Sequence, residues 1–473
     1  MTNQLLEITL TNQEKEIFKL MTSTITHHKL QTVVRVAGGW VRDKLLGLTS
    51  DDIDFTISDM TGEKFGNYVL KYLEFVGVEQ FALPKLRINP QKSQQVGTAR
   101  LLLSDLWLDL SQLRHEEYND NSRIPKVTLG TPEQDAKRRD LTINSLFYNL
   151  NKQIVEDFTG KGIEDLKKKL SRTCYDSQQS FLDDPLRVFR TIRYTARFSL
   201  RPTEEIINAL QNEKVHQMIS IKISRERIGN ELENMLTDPD PIHSLLLICQ
   251  MQLYPLVFKM QEIGNKETND VLGYLNKLLE MLPNINDWND WKKNRKLRFI
   301  LSIALLPIIG KYQKKNSFVR ILVTKSLKLT LKLSREIDLI HTAILQFSNL
   351  AQSIKSNQGI KRSQIALILR EIGKKYYDSL LIAKIYSHNN QDLIQKFDLI
   401  LSQIFDLDLI GVWDVSPLIN GKEIMQILNL DKKNARSIIG SVIKSSLEWQ
   451  LDNPKATKED LINFIKQDFS NKN

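Results

Sequence analysis

The stretch from Arg35 to Ile57, RVAGGWVRDKLLGLTSDDIDFTI, constrains this chain more than any other. Val33, Val34, Val36 and Ala37 make a short apolar run with the length and β-branched content of a buried strand. Gly38-Gly39 breaks it, and Trp40 to Leu46 then reads as a short helix stopped by Gly47. Side chains alternate along the strand that follows, so Ile53, Phe55 and Ile57 take one face and Asp52 and Asp54 the other. Two carboxylates on one exposed strand face, beside a glycine turn that opens a helix, is a demanding arrangement.

The chemistry it suits is phosphoryl or nucleotidyl transfer. Gly38 and Gly39 let backbone N–H groups and a helix N-terminus come close to a triphosphate. Arg42, one turn into the helix, adds a charged fork for phosphate oxygens. Asp52 and Asp54 repel each other unless a cation lies between them, and an Asp-x-Asp pair on a rigid strand suits magnesium shared with phosphates. Taken singly, a Gly-Gly pair is more often a plain turn, and Asp51 and Asp52 more often merely open a strand. The ordered combination within one segment points to chemistry.

Length and charge set the frame around this segment. A chain of 473 residues calls for two to four domains. Its 41% hydrophobic and 26% charged residues are those of a globular protein, and no apolar run approaches the roughly 18 to 20 residues a membrane span needs. A net charge of +10 favours a polyanionic partner. Two cysteines, Cys174 and Cys249, argue against a disulfide framework or a cysteine zinc site. The first residues carry Glu7, Glu14 and Glu16 and no arginine, unlike a secretory signal or a mitochondrial transit peptide. A cytoplasmic address is expected, with nuclear or mitochondrial pools allowed, and a monomer. Thr11, with Glu14 three residues on, predicts a capping box.

Lys64 to Phe75 is helix-like, and Gln95 to Asp109 extends the sheet, with Asp109 on the face opposite Leu108 and Leu110. Residues 114–136 are polar, carry Pro125, Gly130 and Pro132, show no clean period, and read as a long loop. Arg138-Arg139-Asp140-Leu-Thr-Ile-Asn144 joins phosphate-seeking and sugar-seeking groups, although a solvated basic turn would look the same. Leu146–Leu150 and Ile154–Phe158 predict a hairpin around residues 151–153. Further on, Asp184-Pro185-Leu-Arg187 opens a helix that places Asp184 and Arg187 on one face. Arg187, Arg190, Arg193 and Arg197 continue along it as a single-sign stripe, open to RNA phosphates or to solvent. Ser224 to Glu233 starts another helix, and the rest shows helical periods only. Lys292 to Arg298 forms a basic cluster, and Lys325, Lys328, Lys332 and Arg335 recur at helical spacing, suited to an RNA backbone or to a solvated face.

These motifs, in this order over about residues 33–235, resemble the polymerase β-like nucleotidyltransferases, and more closely the class II CCA-adding enzymes of eukaryotic, fungal-like type. The tail segments Trp413 to Ile424 and Leu447 to Pro454 are similar to that family as well. The resemblance implies an α+β fold: a head with a small mixed sheet (1–158), followed by an all-α neck (159–235), body (236–335) and tail (336–473). It implies two Mg²⁺ on Asp52 and Asp54, with Asp109 the candidate for a third acid, or else a lone exposed strand residue. Gly38, Gly39 and Arg42 would hold the triphosphate; Arg138, Arg139, Asp140, Asn144 and Arg190 would hold the nucleotide. The loop at 114–136 would move between nucleotides. Asp184 and Arg187 would read the base. A carboxylate accepting from an exocyclic amine, beside a guanidinium donating to a ring nitrogen, accepts C and A and leaves U or G unpaired. Arg193, Arg197, Lys325, Lys328 and Lys332 would meet tRNA. The implied reaction is addition of CCA to tRNA from CTP and ATP. Its competitors are CC-only or A-only addition, a poly(A) polymerase, and an inactive RNA-binding module.

Overall fold

The structure is a computed structural model, and it describes residues 8–50, 52–77, 85–88, 98–103, 106–119, 122–259, 265–313, 316–354, 360–430 and 432–469. Asp51, Gln95 to Gly97 and Asp120-Asn121 lie outside these. The chain divides into two compact units, Met1–Val257 and Phe258–Asn473.

The first unit begins with α1 (Asn12–His27), closed by the expected reciprocal bonds between Thr11 and Glu14. Then come β1 (Val34–Ala37), α2 (Gly39–Leu45) and β2 (Asp54–Ile57), within a residue or two of the sequence reading. After α3 (Gly62–Val76) the sheet gains β3 (Lys85–Ile88), β4 (Ala99–Leu103) and β5 (Leu106–Gln112). The seven strands stand in the order β3-β4-β5-β2-β1-β8-β9, with the hairpin β8 (Leu146–Asn149) and β9 (Ile154–Asp157) closing one edge. Among the described residues of this sheet only the central β2–β5 pair is parallel, in a register that sets Asp54 beside Asp109. One face of the sheet is sealed by α1 and α3: Phe18 stacks edge-on against Trp40 and Phe55, and Phe65 and Val69 are fully buried. That seal fixes the register, since slipping β2 by one residue would drive its carboxylates into the core.

Residues 114–136 are not a loop. β6 (Arg114–Asn119) and β7 (Ser122–Leu129) form an antiparallel ribbon, and α4 (Pro132–Lys137) follows. The described side chains of the ribbon are half-buried or exposed, so no apolar alternation marks it in the sequence. The start of α4 is legible, because Thr131 and Gln134 form a capping box with Pro132 in the first turn. Beyond β9 the chain turns helical: α5 (Gly162–Lys168), α6 (Ser177–Asp183), α7 (Leu186–Arg197) and, further on, α8 (Glu204–Leu210), α9 (Glu213–Lys222) and α10 (Arg225–Thr237).

In the second unit the long helix Leu331–Ser353 is packed by helices Lys293–Ala304, Arg362–Ile372, Tyr376–Tyr386 and Gln391–Asp406. A separate apolar cluster of Ile419, Ile424, Val442, Leu461 and Ile465 holds the C-terminal helices. Among the described residues no helix is long and apolar enough to cross a membrane.

Candidate active site

The site is built on the polar face of the sheet. Asp52, Asp54 and Asp109 each present a carboxylate oxygen within 4.8 Å of the others. Asp54 opens β2 and Asp52 lies two residues before it; the third is supplied by the parallel register, which no local pattern could show. Arg100 on β4 reaches across the pair to hold Asp109 at 2.7 Å. Asp54 is exposed at the start of β2, but the protein crowded about its carboxyl group, and then the charge of Asp52, push its pKa up to about 6. A carboxylate held in that state favours a cation among the three acids.

Beside the acids, Gly38 adopts φ +80°, which only glycine takes without strain. A Cβ there would lie 2.9 Å from Nη1 of Arg139, so the turn and this guanidinium share one small space. Arg139 is steadied by Asp135, which accepts from its Nη2 at 2.9 Å, and Arg138 donates to the same carboxylate and to Glu116 at 3.0 Å. No sequence motif picks out Asp135, Glu116 or Tyr118. The capping box before Asp135 is the one signal that could have marked it.

Arg42 departs from expectation. It is buried, and it bonds Asp43 at 2.7 Å and the side-chain oxygen of Asn144. Its guanidinium lies over the rings of Phe198 (4.3 Å) and Tyr194 (5.1 Å). Burial against two aromatic faces and two acceptors leaves no free fork for phosphate. Asn144 in turn donates to Asp140, which accepts from Arg190 at 2.7 Å. Asp43, Arg42, Asn144, Asp140 and Arg190 thus form one hydrogen-bonded line from α2 to α7. Burial acts to raise the Asp140 carboxyl, but Arg190 and Asn144 overcome it and hold its pKa down to about 2. Asp140 drives Arg190 well above the ordinary guanidinium range.

Asp184 lies just before α7 on extended backbone, where its carboxylate accepts from the Leu186 amide at 3.2 Å, and Arg187 sits in the first turn of the helix. Arg187 is wrapped: it donates to the Tyr175 hydroxyl (2.8 Å), the Ser180 hydroxyl (3.0 Å) and the Arg138 carbonyl (2.6 Å). A longer bond to the Tyr118 hydroxyl (3.3 Å) ties it to the β6–β7 ribbon. Arg227 stands 3.9 Å from Asp184.

The stripe on α7 needs correction. Arg193 is buried and pairs with Glu231 of α10 at 3.2 Å, and Arg197 pairs with Asp238 at 3.4 Å. The partners missing from their own helix come from elsewhere in the fold, so these arginines are internal ties. Lys325, Lys328 and Lys332 are exposed, but they do not share a helix. Lys325 sits in a π-turn (Leu322–Ser326), Lys328 has φ +56°, and Lys332 lies in the first turn of the next helix.

Comparison with known proteins bears on this geometry. A model of the poly A polymerase head domain matches residues 34–172. The mitochondrial CCA tRNA nucleotidyltransferase of Saccharomyces cerevisiae is 32% identical, over 97% of this chain and 94% of its own. The chain belongs to the CCA tRNA nucleotidyltransferase family. A tRNA nucleotidyltransferase of Schizosaccharomyces pombe is 31% identical over 97% of this chain and 98% of its own. A solved CCA-adding enzyme without ligand superposes with a TM-score of 0.66 at 20% identity, covering 97% of this chain and 96% of that one. A Thermotoga maritima CCA-adding enzyme complexed with tRNA gives 0.64, also at 20%, over 97% and 96%. These last two speak for the fold of this CCA tRNA nucleotidyltransferase family member.

Proposed function

We propose that the protein adds CCA to the 3′ end of tRNA from CTP and ATP, without a nucleic-acid template, releasing pyrophosphate. One observation carries the reading: three carboxylates converge within 4.8 Å of one another, and the Gly38 turn shares its space with Arg139, while Asp184 just before α7 and Arg187 in its first turn would read a base. The donor set is all oxygen, which fits Mg²⁺. Two such ions, held by Asp52 and Asp54 with Asp109 beside them, would sharpen the 3′-hydroxyl as nucleophile and offset charge on the leaving phosphates. The 3′ oxygen bonds to the α-phosphorus as the bond to the bridging oxygen breaks, and pyrophosphate takes the electron pair.

The backbone at Gly38 and Gly39 cradles the triphosphate, and Nη1 of Arg139 adds charge to it. Arg138 positions Arg187 through its carbonyl. The buried line through Asn144 and Asp140 keeps Arg190, whose side chain is 37% exposed, facing the nucleotide. For Arg187 to meet a base it must exchange some of its present partners, and the Tyr118 bond makes the β6–β7 ribbon the element that moves with that exchange. In this reading residues 1–158 are head, 159–235 neck, 236–335 body and 336–473 tail. The exposed Lys325, Lys328 and Lys332 offer charge to tRNA phosphates, and the protein works as a monomer. Relatives from Saccharomyces cerevisiae and Candida glabrata carry "mitochondrial" in their names, so a mitochondrial pool joins a cytoplasmic one.

The test is incorporation into a tRNA transcript lacking CCA, with CTP and ATP separately and together, resolved to single nucleotides. Two additions with CTP alone, and a third only with ATP, are expected. A stop at CC, or addition to CC-ended tRNA only, would make this a split enzyme. Long A tails would make it a poly(A) polymerase, and binding without any product would leave an RNA-binding module.

A further inference from the structure

Among the described residues around Asp135, Arg114 carries chemistry that the fold leaves unused. Its backbone is pinned. The amide donates to Asp135 at 3.0 Å, and Gly130 packs so close that a Cβ there would lie 2.5 Å from the Arg114 carbonyl carbon. Its side chain is not. Nε is buried and finds no hydrogen-bond partner, and the guanidinium makes no ion pair among the described residues.

The nearby acceptors are already taken. Asp135 accepts from Arg138, from Arg139 and from Arg114's own amide, and Glu116 accepts from Arg138 and Tyr118. Three guanidinium groups therefore face two carboxylates. Burial, and then repulsion from Arg138, pull Arg114 down to about 10, which still leaves it charged at neutral pH. Both Arg114 and Arg139 oppose the upward shift of Asp54, so this surplus charge lies within reach of the acid triad. A buried guanidinium nitrogen without an acceptor is destabilising, and such a group in a native fold calls for an explanation. A dianionic or more highly charged ligand spanning the acids and the arginines supplies one.

We propose that Arg114 anchors the terminal phosphates of the incoming nucleoside triphosphate, the part that departs as pyrophosphate. This rests on the nucleotidyl-transfer reading above and adds to it a residue that no motif marks. The electron pair released from the α-phosphorus then leaves on an oxygen whose charge Arg114 offsets, while the proton of the 3′-hydroxyl passes to water.

The experiment compares the full-length protein with Arg114→Met by calorimetric titration of inorganic tripolyphosphate and, separately, of CMP, together with thermal unfolding. Arg114→Met should weaken tripolyphosphate binding about tenfold or more and leave CMP binding alone. Its melting temperature should equal or exceed that of the parent, because an unpaired buried charge has gone. Arg114→Lys should recover part of the tripolyphosphate affinity. A structural role predicts the opposite: a fall in melting temperature, or failure to fold, with CMP and tripolyphosphate weakened together. That result, or unchanged tripolyphosphate binding, overturns the assignment. Neither titration needs turnover, so a failure here is distinct from failure of the tRNA incorporation assay.

Discussion

Replacing Asp54 with Asn should abolish turnover yet stabilise the protein when no divalent metal is present. The carboxyl pKa rises from 3.8 to about 6 on folding. Above pH 6 the folded state must therefore hold a charge it disfavours, while the unfolded state ionises freely. A rise of about two units corresponds to about 3 kcal/mol at about 1.4 kcal/mol per unit. Because the residue is exposed, solvent screening brings this to about 1 kcal/mol. The penalty is absent below pH 4, where both states are protonated, and grows as pH rises from 4 to 6. In EDTA at pH 8, Asp54→Asn should melt about 2–4 °C above the parent, and the gap should close toward pH 4. Mg²⁺ should reverse the order, since it stabilises the chain that binds it by mass action. The assay is thermal unfolding across pH 4–8, with EDTA or with millimolar-range Mg²⁺. An Asp54→Asn protein no more stable than the parent at pH 8 in EDTA would refute the account of a carboxylate disfavoured by surrounding protein and by Asp52.

Other perturbations follow from the same geometry. Asn144→Ala removes the link between Arg42 and Asp140 and should cost about 2–3 kcal/mol in a denaturant titration; an unchanged midpoint would show the buried line to be dispensable. Arg193→Ala leaves Glu231 buried without its partner and should destabilise by about 3–5 kcal/mol. The salt dependence of tRNA binding should stay as it is in the parent, and a shallower slope would return Arg193 to the RNA surface. Asp184→Ala should erode discrimination between CTP and UTP by about a hundredfold or more in single-turnover incorporation; selection as sharp as the parent's would move base reading elsewhere. Changing Lys325, Lys328 and Lys332 to Gln should lower the salt slope of tRNA binding by about 0.9 for each phosphate that is no longer neutralised. A constant slope would leave them as solvated surface.

What the sequence determined is local. The alternation around Asp52 and Asp54, the Gly38 turn, and the Thr11 and Thr131 caps depend on backbone periods and local bonds that a linear reading contains. Such features survive into the fold because neighbours along the chain decide them. Tertiary structure decided which side chains remained free. Arg42, Arg193 and Arg197 look like phosphate ligands in the sequence, and their partners, Asn144, Glu231 and Asp238, lie between 38 and 102 residues away. Asp109 joins the acid triad only through the β2–β5 register, and that register cannot be read from either strand alone. The β6–β7 ribbon is silent in the sequence because its described side chains form no buried face and leave no apolar signature. A guanidinium advertises the same chemistry at every position; whether it serves a ligand or the fold depends on the acceptors that packing brings within reach, and those only the folded chain supplies.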